Sequence, residues 1–355
     1  MIPNRLYSLL QCPDCAARDL VVYADALHCT RCDRRYPRHA DYLNLMPQSA
    51  QYAYVSKYVA EEEQLAEELD YRDMAPPLLA AGVRNRALVR MLDLQPHDIA
   101  FDNGCGNGRF AIWNADKVAL MVASDPATLF ADQALAQIAL AQADSRTLPF
   151  ADESFDKAFS LDVLEHFPLD VIDTYLAETA RVLKPGGRFF IVSNTSDPSS
   201  LQPLTNLSRR IGKLFVRAGV YDFEREKLRK SDHIKALRTW REVEAAIERA
   251  GLRVVRVVFW NSVFTSFVEH VLMKLGEALL GRRRRASTRS KVVTDGTARE
   301  IRARHLMRNR LTTRGASYYA LLAVTMVMDL DLLLFGSLPS GSYCLLVEKP
   351  HEGAA

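Results

Sequence analysis

The stretch IAFDNGCGNGRF, residues 99–110, decides the fold of this chain. Its first three residues, 99–101, form a short apolar run that is typical of a buried strand. Gly104, Gly106 and Gly108 follow at once, and glycine lets the backbone approach a ligand without a Cβ clash. The helix that starts next offers free N–H groups. This order of strand, glycine-rich turn and helix predicts a binding loop.

Apolar runs and helical segments alternate after this stretch. One run, residues 119–124, ends in Asp125, and another, residues 157–161, leads into Asp162. Residues 188–193 form a third run. Strands that alternate with helices indicate an α/β protein with a doubly wound parallel sheet.

The ordered series of motifs resembles that of class I S-adenosylmethionine-dependent methyltransferases, in particular the methyltransferase type 11 family. The resemblance covers residues 85–195, with further traces to residue 260 and at the C-terminus. It implies a Rossmann-like sheet of seven strands, of which residues 342–348 form the last. Two positions depart from the usual pattern, Asn103 and Pro126, and neither removes a group that must contact the cofactor.

The resemblance also implies which residues hold S-adenosyl-L-methionine. Asp102 and the glycines would bracket its methionine part, and Asp125 would hold the ribose hydroxyls. Asp144 would meet the adenine edge, and Asp162 would lie near the transferred methyl group. The complete implied set is Asp102, Gly104, Gly106, Asn107, Gly108, Asp125, Pro126, Asp144, Ser145, Asp162 and Val163.

Two histidines are candidate catalytic residues. Methyl transfer from a sulfonium gains most from holding donor and acceptor at near-attack distance, and a general base helps when the acceptor is a hydroxyl. His166 follows the fourth predicted strand of the core, where a doubly wound fold binds its ligands. His233 begins the segment after the fifth. Histidine titrates near neutral pH, so either residue is a candidate base, and loop capping is the alternative role for His166.

Four cysteines near the N-terminus predict a structural zinc site. Cys12 and Cys15 form one C-x-x-C pair, and Cys29 and Cys32 form a second pair after thirteen residues. Two such pairs supply four thiolates in a tetrahedron and leave no open ligand position. Four unliganded thiols are the alternative. The segment resembles the zinc-ribbon activator subunit of methyltransferases and the zinc ribbons fused to bacterial rRNA methyltransferases.

The composition and length are those of a globular protein with several parts. The chain has 355 residues, 48% hydrophobic and 25% charged, which excludes a fibrous or mostly disordered protein. The predicted organisation is a zinc ribbon at 1–47, an acidic helical linker or lid at 48–84, a methyltransferase core at 85–260, a basic amphipathic helical insertion at 261–340, and the last core strand with a tail at 341–355.

The formal net charge of +3 hides a strong asymmetry. Residues 206–314 contain 27 Lys or Arg against 11 Asp or Glu, and the rest of the chain is acidic. Apolar helical segments at 263–279 and 318–335 flank the arginine run that begins at Arg282. Such a basic lobe predicts an anionic partner, and the apolar flanks favour a membrane surface over nucleic acid.

Three functions remain open on the sequence. The favoured one is O-methylation of a small-molecule, quinone-like or lipid-linked acceptor, with the insertion as acceptor lid or membrane contact. An RNA methyltransferase is the alternative, weakened by the few aromatic residues in the arginine run. A non-catalytic cofactor-binding partner is the third. No signal peptide is visible, and Asp329 and Asp331 interrupt the most apolar segment, so we expect a cytoplasmic protein, peripheral at the inner face of the membrane.

Overall fold

A computed structural model describes residues 2–49, 74–220, 233–281 and 314–351. The strands are β1 Leu20–Val22, β2 Ala26–Cys29, β3 Arg35–Pro37, β4 Tyr42–Asn44, β5 Ile99–Asn103, β6 Leu120–Asp125, β7 Ala139–Gln142, β8 Phe155–Leu161, β9 Leu183–Asn194, β10 Arg253–Phe259 and β11 Ser342–Glu348. The helices are α1 Asn4–Tyr7, α2 Leu79–Leu92, α3 Arg109–Asn114, α4 Asp132–Gln137, α5 Leu169–Val182, α6 Gln202–Arg217, α7 Trp240–Arg249, α8 Val263–Phe267, α9 Lys274–Gly281 and α10 Ala316–Phe335.

The central sheet confirms the doubly wound, Rossmann-like α/β fold. Its strand order is β10-β11-β9-β8-β5-β6-β7-β4. All neighbours from β4 to β9 pair in parallel, and β11 is antiparallel to both β9 and β10. The chain order reverses at β5, which has β6 on one side and β8 on the other. Ligands of open α/β sheets bind at the carboxyl ends of the strands beside such a switch point.

The sheet has eight strands where seven were expected. The additional strand is β4, which belongs to the N-terminal module and pairs in parallel with β7, Tyr42 opposite Leu140 and Asn44 opposite Gln142. Without it, β7 would be an edge strand with a row of unpaired N–H and C=O groups. The sequence did not predict this pairing because β4 is about a hundred residues away from its partner.

The N-terminal module shares the core of the larger domain. Leu6, Leu27, Tyr36 and Leu43 are fully buried in the same apolar cluster as Phe101. Backbone bonds join the two parts as well, from Gln11 N–H to the Pro149 carbonyl (3.0 Å) and from Ala151 N–H to the Leu9 carbonyl (2.8 Å). The predicted boundary at residue 47 therefore separates two folding patterns that are packed as one unit.

The predicted linker and basic run fall largely outside the described ranges. Of the linker at 48–84, residues 50–73 are not described, and its last residues form the start of α2. The arginine-rich stretch at 282–313 also lies outside the described residues. What the structure does describe of the insertion is α8, a π-helical segment Val268–Met273, α9 and α10.

Helix α10 is bound into the protein through the two aspartates that interrupt its apolar sequence. Asp329 is 2% exposed, and its carboxylate accepts from Arg86 Nε (3.2 Å) and Arg90 Nη2 (2.5 Å) of α2. Asp331 is fully buried and accepts the backbone N–H groups of Phe264 (2.9 Å) and Thr265 (2.8 Å). Asp331 therefore supplies an acceptor to the first turn of α8, whose N–H groups have no partner within the helix.

The helix that begins at Val263 carries its apolar residues on more than one side. The sequence predicts a single apolar face, but Phe267 and Leu272 are 42% and 46% exposed, and Ser266 is buried. The π-helical segment in the middle of this helix explains the difference, because it changes the number of residues per turn and rotates the face that follows.

Candidate functional site

The glycine-rich loop between β5 and α3 has the backbone that its sequence predicts. Gly104, Gly106 and Gly108 have φ angles of +85°, +55° and +82°, a region that favours glycine. A Cβ on Gly104 would lie 2.7 Å from a Val163 methyl group, and one on Gly108 would lie 2.8 Å from the Ala134 Cβ. The loop therefore fits closely between the segment after β8 and helix α4.

Asp125 stands at the end of β6 with its carboxylate against this loop. One oxygen accepts the N–H of Gly106 (2.8 Å), and the other accepts the N–H of Ala127 (3.0 Å). Pro126 lies between Asp125 and Ala127 in the chain, and its carbonyl accepts from the Gln142 side chain (3.0 Å). These bonds fix the orientation of the carboxylate at the switch point of the sheet.

Asp102 is a buried carboxyl group that lacks a partner on one side. It is 2% exposed, and its Oδ2 accepts no hydrogen bond from any residue in the described part of the chain. Burial raises the pKa of Asp102 well above its ordinary value, and the nearby charge of Asp125 raises it further. A cationic group placed here would relieve both effects, so this position fits the positively charged methionine part of the predicted cofactor.

Asn103, one of the two departures from the family pattern, is the last residue of β5 and fixes the start of the glycine loop by hydrogen bonds. Its Nδ2 donates to the Thr179 hydroxyl (3.0 Å), and its Oδ1 accepts from the Ser145 hydroxyl (2.8 Å). The Tyr175 hydroxyl donates to the Asn103 carbonyl (3.2 Å). Asn103 and Thr179 are fully buried. The motif resemblance missed this role, and the only signal for it was the unusual polar residue before Gly104.

Asp144 lies just beyond β7, where the adenine edge is expected. Its carboxylate accepts from Arg146, from the backbone N–H (2.8 Å), from Nε (3.1 Å) and from Nη2 (2.9 Å). Two residues earlier, the Gln142 carbonyl accepts the N–H of Leu45 from the N-terminal module (2.8 Å). The N-terminal module therefore reaches the end of β7, two residues before Asp144.

Asp162 lies at the end of β8, and a residue outside the predicted set binds it. Its φ is +60°, and its carboxylate pairs with Arg84 Nη1 of α2 at 2.9 Å. The Arg84 guanidinium also lies over the Trp260 ring, 5.4 Å from the ring centre. Both side chains of the pair are partly exposed. No motif indicated Arg84, because it lies in the segment predicted to be a linker.

The two candidate catalytic histidines lie next to each other in the folded chain. The ring centres of His166 and His233 are 4.8 Å apart, and the planes are nearly perpendicular. Glu165 is buried beside them, and its carboxyl group accepts from the Ser193 hydroxyl (2.7 Å) and from Asn194 Nδ2 (3.0 Å). Burial raises the pKa of Glu165 to about 8, and the charge of Asp162 adds to the effect.

The four cysteines converge, as their spacing predicts. The Sγ atoms of Cys12 and Cys32 are 3.6 Å apart, as are those of Cys15 and Cys29, and all four lie within 4.8 Å of one another. Four sulfurs at about 2.3 Å from one ion in a tetrahedron would be about 3.8 Å apart. The donor set and its spacing therefore fit a structural zinc ion.

Asp14 stabilises the turn between the first two cysteines. It accepts the backbone N–H groups of Gln48 (3.0 Å) and Ser49 (2.7 Å) and the Tyr36 hydroxyl (2.6 Å). The pKa of Asp14 stays well below its ordinary value, because these bonds outweigh the opposing effect of burial. The Tyr36 hydroxyl also lies 3.1 Å from Cys12 Sγ, so this network reaches the cysteine cluster.

A cavity of about 580 Å³ opens where the N-terminal module meets the larger domain. None of the predicted cofactor residues lines it. Arg181 in its wall is paired with Glu178 (2.7 Å) and Asp152 (2.8 Å), so its charge is compensated. The candidate cofactor site is therefore separate from this cavity and lies at the strand ends around the glycine loop.

Comparison with protein families assigns the central part of the chain. Residues 101–191 match the family model described as a methyltransferase domain. This range includes the last three residues of β5, all of β6 to β8 and most of β9, with the glycine loop, Asp125, Asp144 and Asp162.

Curated relatives match over part of their length. Sterol methyltransferase-like 1 of Botryococcus braunii is 33% identical over 32% of this chain and 25% of its own length. Methyltransferase GfsG of Streptomyces halstedii is 32% identical over 32% of this chain and 45% of its own. The 27-O-demethylrifamycin SV methyltransferase of Amycolatopsis mediterranei is 31% identical over 41% of this chain and 57% of its own.

The matched part of the chain thus spans between a quarter and somewhat over half of the length of these relatives. Among solved structures, phosphoethanolamine N-methyltransferase 2 of Haemonchus contortus in complex with S-adenosyl-L-methionine is 16% identical with a TM-score of 0.48, covering 84% of this chain and 61% of that one.

Proposed function

We propose that this chain, which carries a class I S-adenosylmethionine-dependent methyltransferase domain, transfers a methyl group to the hydroxyl oxygen of a small-molecule, quinone-like or lipid-linked acceptor. One observation carries the proposal. The glycine loop, the oriented Asp125 carboxylate and the incompletely bonded Asp102 carboxyl group meet at the switch point of the sheet.

The residues around the loop would hold the cofactor in one orientation. Asp102 would accept from its ammonium group, Asp125 from its ribose hydroxyls, and Asp144 would face the adenine edge. When bound, S-adenosylmethionine supplies an activated methyl group on a sulfonium. The protein's part is to hold the acceptor in line with that methyl, and such positioning contributes up to about 7–11 kcal/mol to the barrier reduction.

A hydroxyl acceptor must also lose its proton. In the structure, His233 lies next to Glu165 and His166. These two residues closely follow Asp162 in the chain, and the methyl group is expected near Asp162. We therefore expect His166 and His233 to take part in removing that proton. Relatives named O-methyltransferase, in Penicillium expansum and Aspergillus sclerotiorum, support oxygen as the methylated atom. The sterol methyltransferases among the relatives support an apolar acceptor.

The surface of α10 supports an acceptor that resides in a membrane. Among the described helices, α10 is the one that is long enough and apolar enough to cross a membrane. Its aspartates, however, are bound to partners within the protein. Its outer face is apolar and exposed, with Tyr319, Met326, Leu333 and Leu334 between 50% and 62% exposed. An exposed apolar helix face typically marks a membrane or protein contact. We propose peripheral contact with lipid.

Helix α6 adds a basic amphipathic surface. Leu204, Leu207 and Leu214 are 48%, 55% and 61% exposed and lie on one side of the helix. The small residues Thr205, Ser208 and Gly212 form its buried side. The exposed basic residues on the same helix are Arg209, Arg210, Lys213 and Arg217. Leucines beside basic residues on an exposed helix favour an anionic membrane surface, and the net positive charge of residues 206–314 supports the same partner.

We further propose that Cys12, Cys15, Cys29 and Cys32 bind a structural Zn²⁺ ion. The fit of the four sulfurs to a tetrahedron supports this assignment. Because all four positions are filled by protein thiolates, the ion would have a structural role only.

Radioactive methyl transfer tests the proposed activity. The full chain is incubated with methyl-labelled S-adenosylmethionine and either a membrane lipid and quinone extract or total RNA. We expect label in the lipid fraction. Label in RNA alone would overturn the proposed acceptor. If neither mixture is labelled and the chain does not bind the cofactor, the proposed activity is overturned.

The variant Asp125→Ala tests the proposed cofactor site, and Asp116→Ala is its matched control. A hydrogen bond to a charged group contributes about 1.5–3 kcal/mol, so losing those to the ribose should weaken cofactor binding in calorimetry at least about a hundredfold. Asp116→Ala, at a side chain that is 84% exposed, should bind the cofactor as the unmodified chain does. Equal affinity of Asp125→Ala and the unmodified chain would refute the placement of the ribose.

A further inference from the structure

Three side chains that can bind a metal ion converge beside the expected position of the methyl group. One ligand atom each from Glu165, His166 and His233 lie within 4.8 Å of one another. Glu165 and His166 are 2% and 7% exposed, and His233 is half-buried. Ligand atoms of one ion lie at most about 4.4 Å apart, twice the usual metal–nitrogen or metal–oxygen distance. Small side-chain rotations would bring all three to a shared ion.

The surroundings of this cluster hold its members in place. Both carboxyl oxygens of Glu165 accept hydrogen bonds, from Ser193 (2.7 Å) and Asn194 (3.0 Å) at the end of β9. The segment that carries His233 is tied to the same residue, because the Lys235 N–H donates to the Glu165 carbonyl (3.0 Å). Partners of this kind orient the ligands in known metal sites, and their loss lowers metal affinity.

The cluster also lies close to the glycine loop, beside which the acceptor is expected to bind. His166 follows Val163 by one short 3₁₀ turn, Leu164–His166, and Val163 contacts the glycine loop. The two more buried residues close the inner side of the cluster, and the half-buried His233 lies at its outer side. An ion bound here would keep coordination positions for a ligand that enters from outside.

We propose that Glu165, His166 and His233 bind a divalent first-row transition-metal ion that coordinates the acceptor's hydroxyl oxygen. Two imidazoles and one carboxylate suit such ions and leave positions open for substrate. The proposal rests on the hydroxyl acceptor proposed above, and it names how the proton of that acceptor is removed.

The chemistry balances without any further reactant. Coordination lowers the pKa of the hydroxyl, and its proton passes to solvent. The oxygen then forms a bond to the methyl carbon, the carbon–sulfur bond of the sulfonium breaks, and its electron pair stays on sulfur. In this arrangement His166 and His233 act as ligands, and neither takes up the proton as a free base.

Cobalt binding tests the site separately from catalysis. The full chain, with zinc retained in its cysteine cluster, is titrated with Co²⁺ by calorimetry and visible absorption. We expect one equivalent of Co²⁺ per chain with absorption bands of cobalt bound to nitrogen and oxygen. A thiolate-to-cobalt charge-transfer band would report exchange at the cysteines. If all of the bound cobalt gave that band and none gave the nitrogen and oxygen bands, the site would be overturned.

Matched variants locate the bound cobalt. His166→Ala and His233→Ala should each weaken Co²⁺ binding by more than a hundredfold, and Ser193→Ala by about 10–100-fold, the range typical of residues that orient ligands. His97→Ala, at a side chain that is 82% exposed, should leave Co²⁺ binding unchanged. Undiminished cobalt binding in both cluster variants, or no cobalt binding in the unmodified chain, would overturn the proposal.

Cofactor binding separates this proposal from the proposed activity. If the unmodified chain binds Co²⁺ as expected but neither binds S-adenosylmethionine nor transfers methyl, the activity is refuted and the metal site stands. If it transfers methyl to a hydroxyl acceptor yet binds no Co²⁺, the activity stands and the metal site is refuted.

Discussion

The N-terminal module and the C-terminal helical layer are both additions to the same sheet, but they meet it in opposite ways. The N-terminal module adds β4 to the sheet edge and buries its apolar side chains in the common core. The C-terminal layer, α6 with α8 to α10, adds only a few apolar residues such as Met328 and Leu332 to a core cluster, is tied down by buried polar contacts, and leaves many apolar side chains exposed. The first addition completes the fold, whereas the second provides a surface.

This difference has a physical origin in what each segment can bury. A module of fewer than fifty residues cannot form a sufficient core alone, so it borrows the core of its neighbour and clusters four thiolates. The C-terminal helices are apolar on more than one side. Only one side of α10 can pack against α2, and the opposite side is left for another partner.

The largest effect should come from the cysteine cluster. Cys12→Ser combined with Cys29→Ser removes two of the four proposed zinc ligands, and structural zinc contributes on the order of 10 kcal/mol to small domains. We expect loss of bound zinc, a large drop in melting temperature, and weaker cofactor binding because the module pairs with β7. Elemental analysis and thermal unfolding measure these changes.

Thr30→Ala is the control for this change, since Thr30 is exposed and lies between Cys29 and Cys32 in the chain. A double cysteine variant with unchanged melting temperature and cofactor affinity would show that the module is an independent appendage.

A smaller effect should follow from Asp329→Ala, which removes the buried partner of Arg86 and Arg90. Breaking a buried ion pair typically costs about 3–5 kcal/mol, and we expect the lower end because both arginines are 41% exposed on their side chains. Denaturant unfolding measures the change, and Asp329→Asn should recover part of it by retaining one hydrogen-bond acceptor.

Unchanged stability of Asp329→Ala would contradict the idea that polar contacts hold the C-terminal layer in place. The apolar contacts of Met328 and Leu332, both buried, would then be sufficient.

The smallest effect on stability should come from the exposed leucines of α6. Leu207→Asp with Leu214→Asp should change the free energy of unfolding by no more than about 0.5 kcal/mol per site, because surface side chains contribute little. The same variant should lose sedimentation with vesicles that contain phosphatidylserine. Leu169→Asp, at a leucine that is 50% exposed outside this layer, should sediment as the unmodified chain does.

Vesicle binding that survives the α6 variant would remove α6 from the membrane surface. A loss of stability comparable to that of Asp329→Ala would instead show that these leucines pack against protein.

Local patterns predicted the parts of this molecule whose interactions are local. The glycine loop has the left-handed backbone that three glycines permit. The capping box at the start of α7 likewise joins residues three positions apart, Thr239 and Glu242. The paired cysteines meet because two tight turns present them. In each case the residues that interact are a few positions apart or belong to a recurring motif.

Contacts between distant segments were not predictable in this way. Arg84 pairs with Asp162 from a segment that looks like a linker, and Asn103 bonds to Ser145 and Thr179 across the sheet. The unusual residue was visible at position 103, but its partners depend on strand order. Single-sequence patterns carry no information about which distant side chains the sheet brings together.

By itself, the sequence determined a Rossmann-like α/β fold, its glycine-rich loop and its cysteine cluster, because backbone conformation and motif spacing are local properties. Tertiary structure decided the rest. Packing placed β4 on the edge of β7, bound the aspartates of α10 to α2 and α8, and gathered Glu165, His166 and His233 at one strand end. Those arrangements depend on burying apolar surface between segments far apart in the chain, and only the assembled sheet specifies where those segments meet.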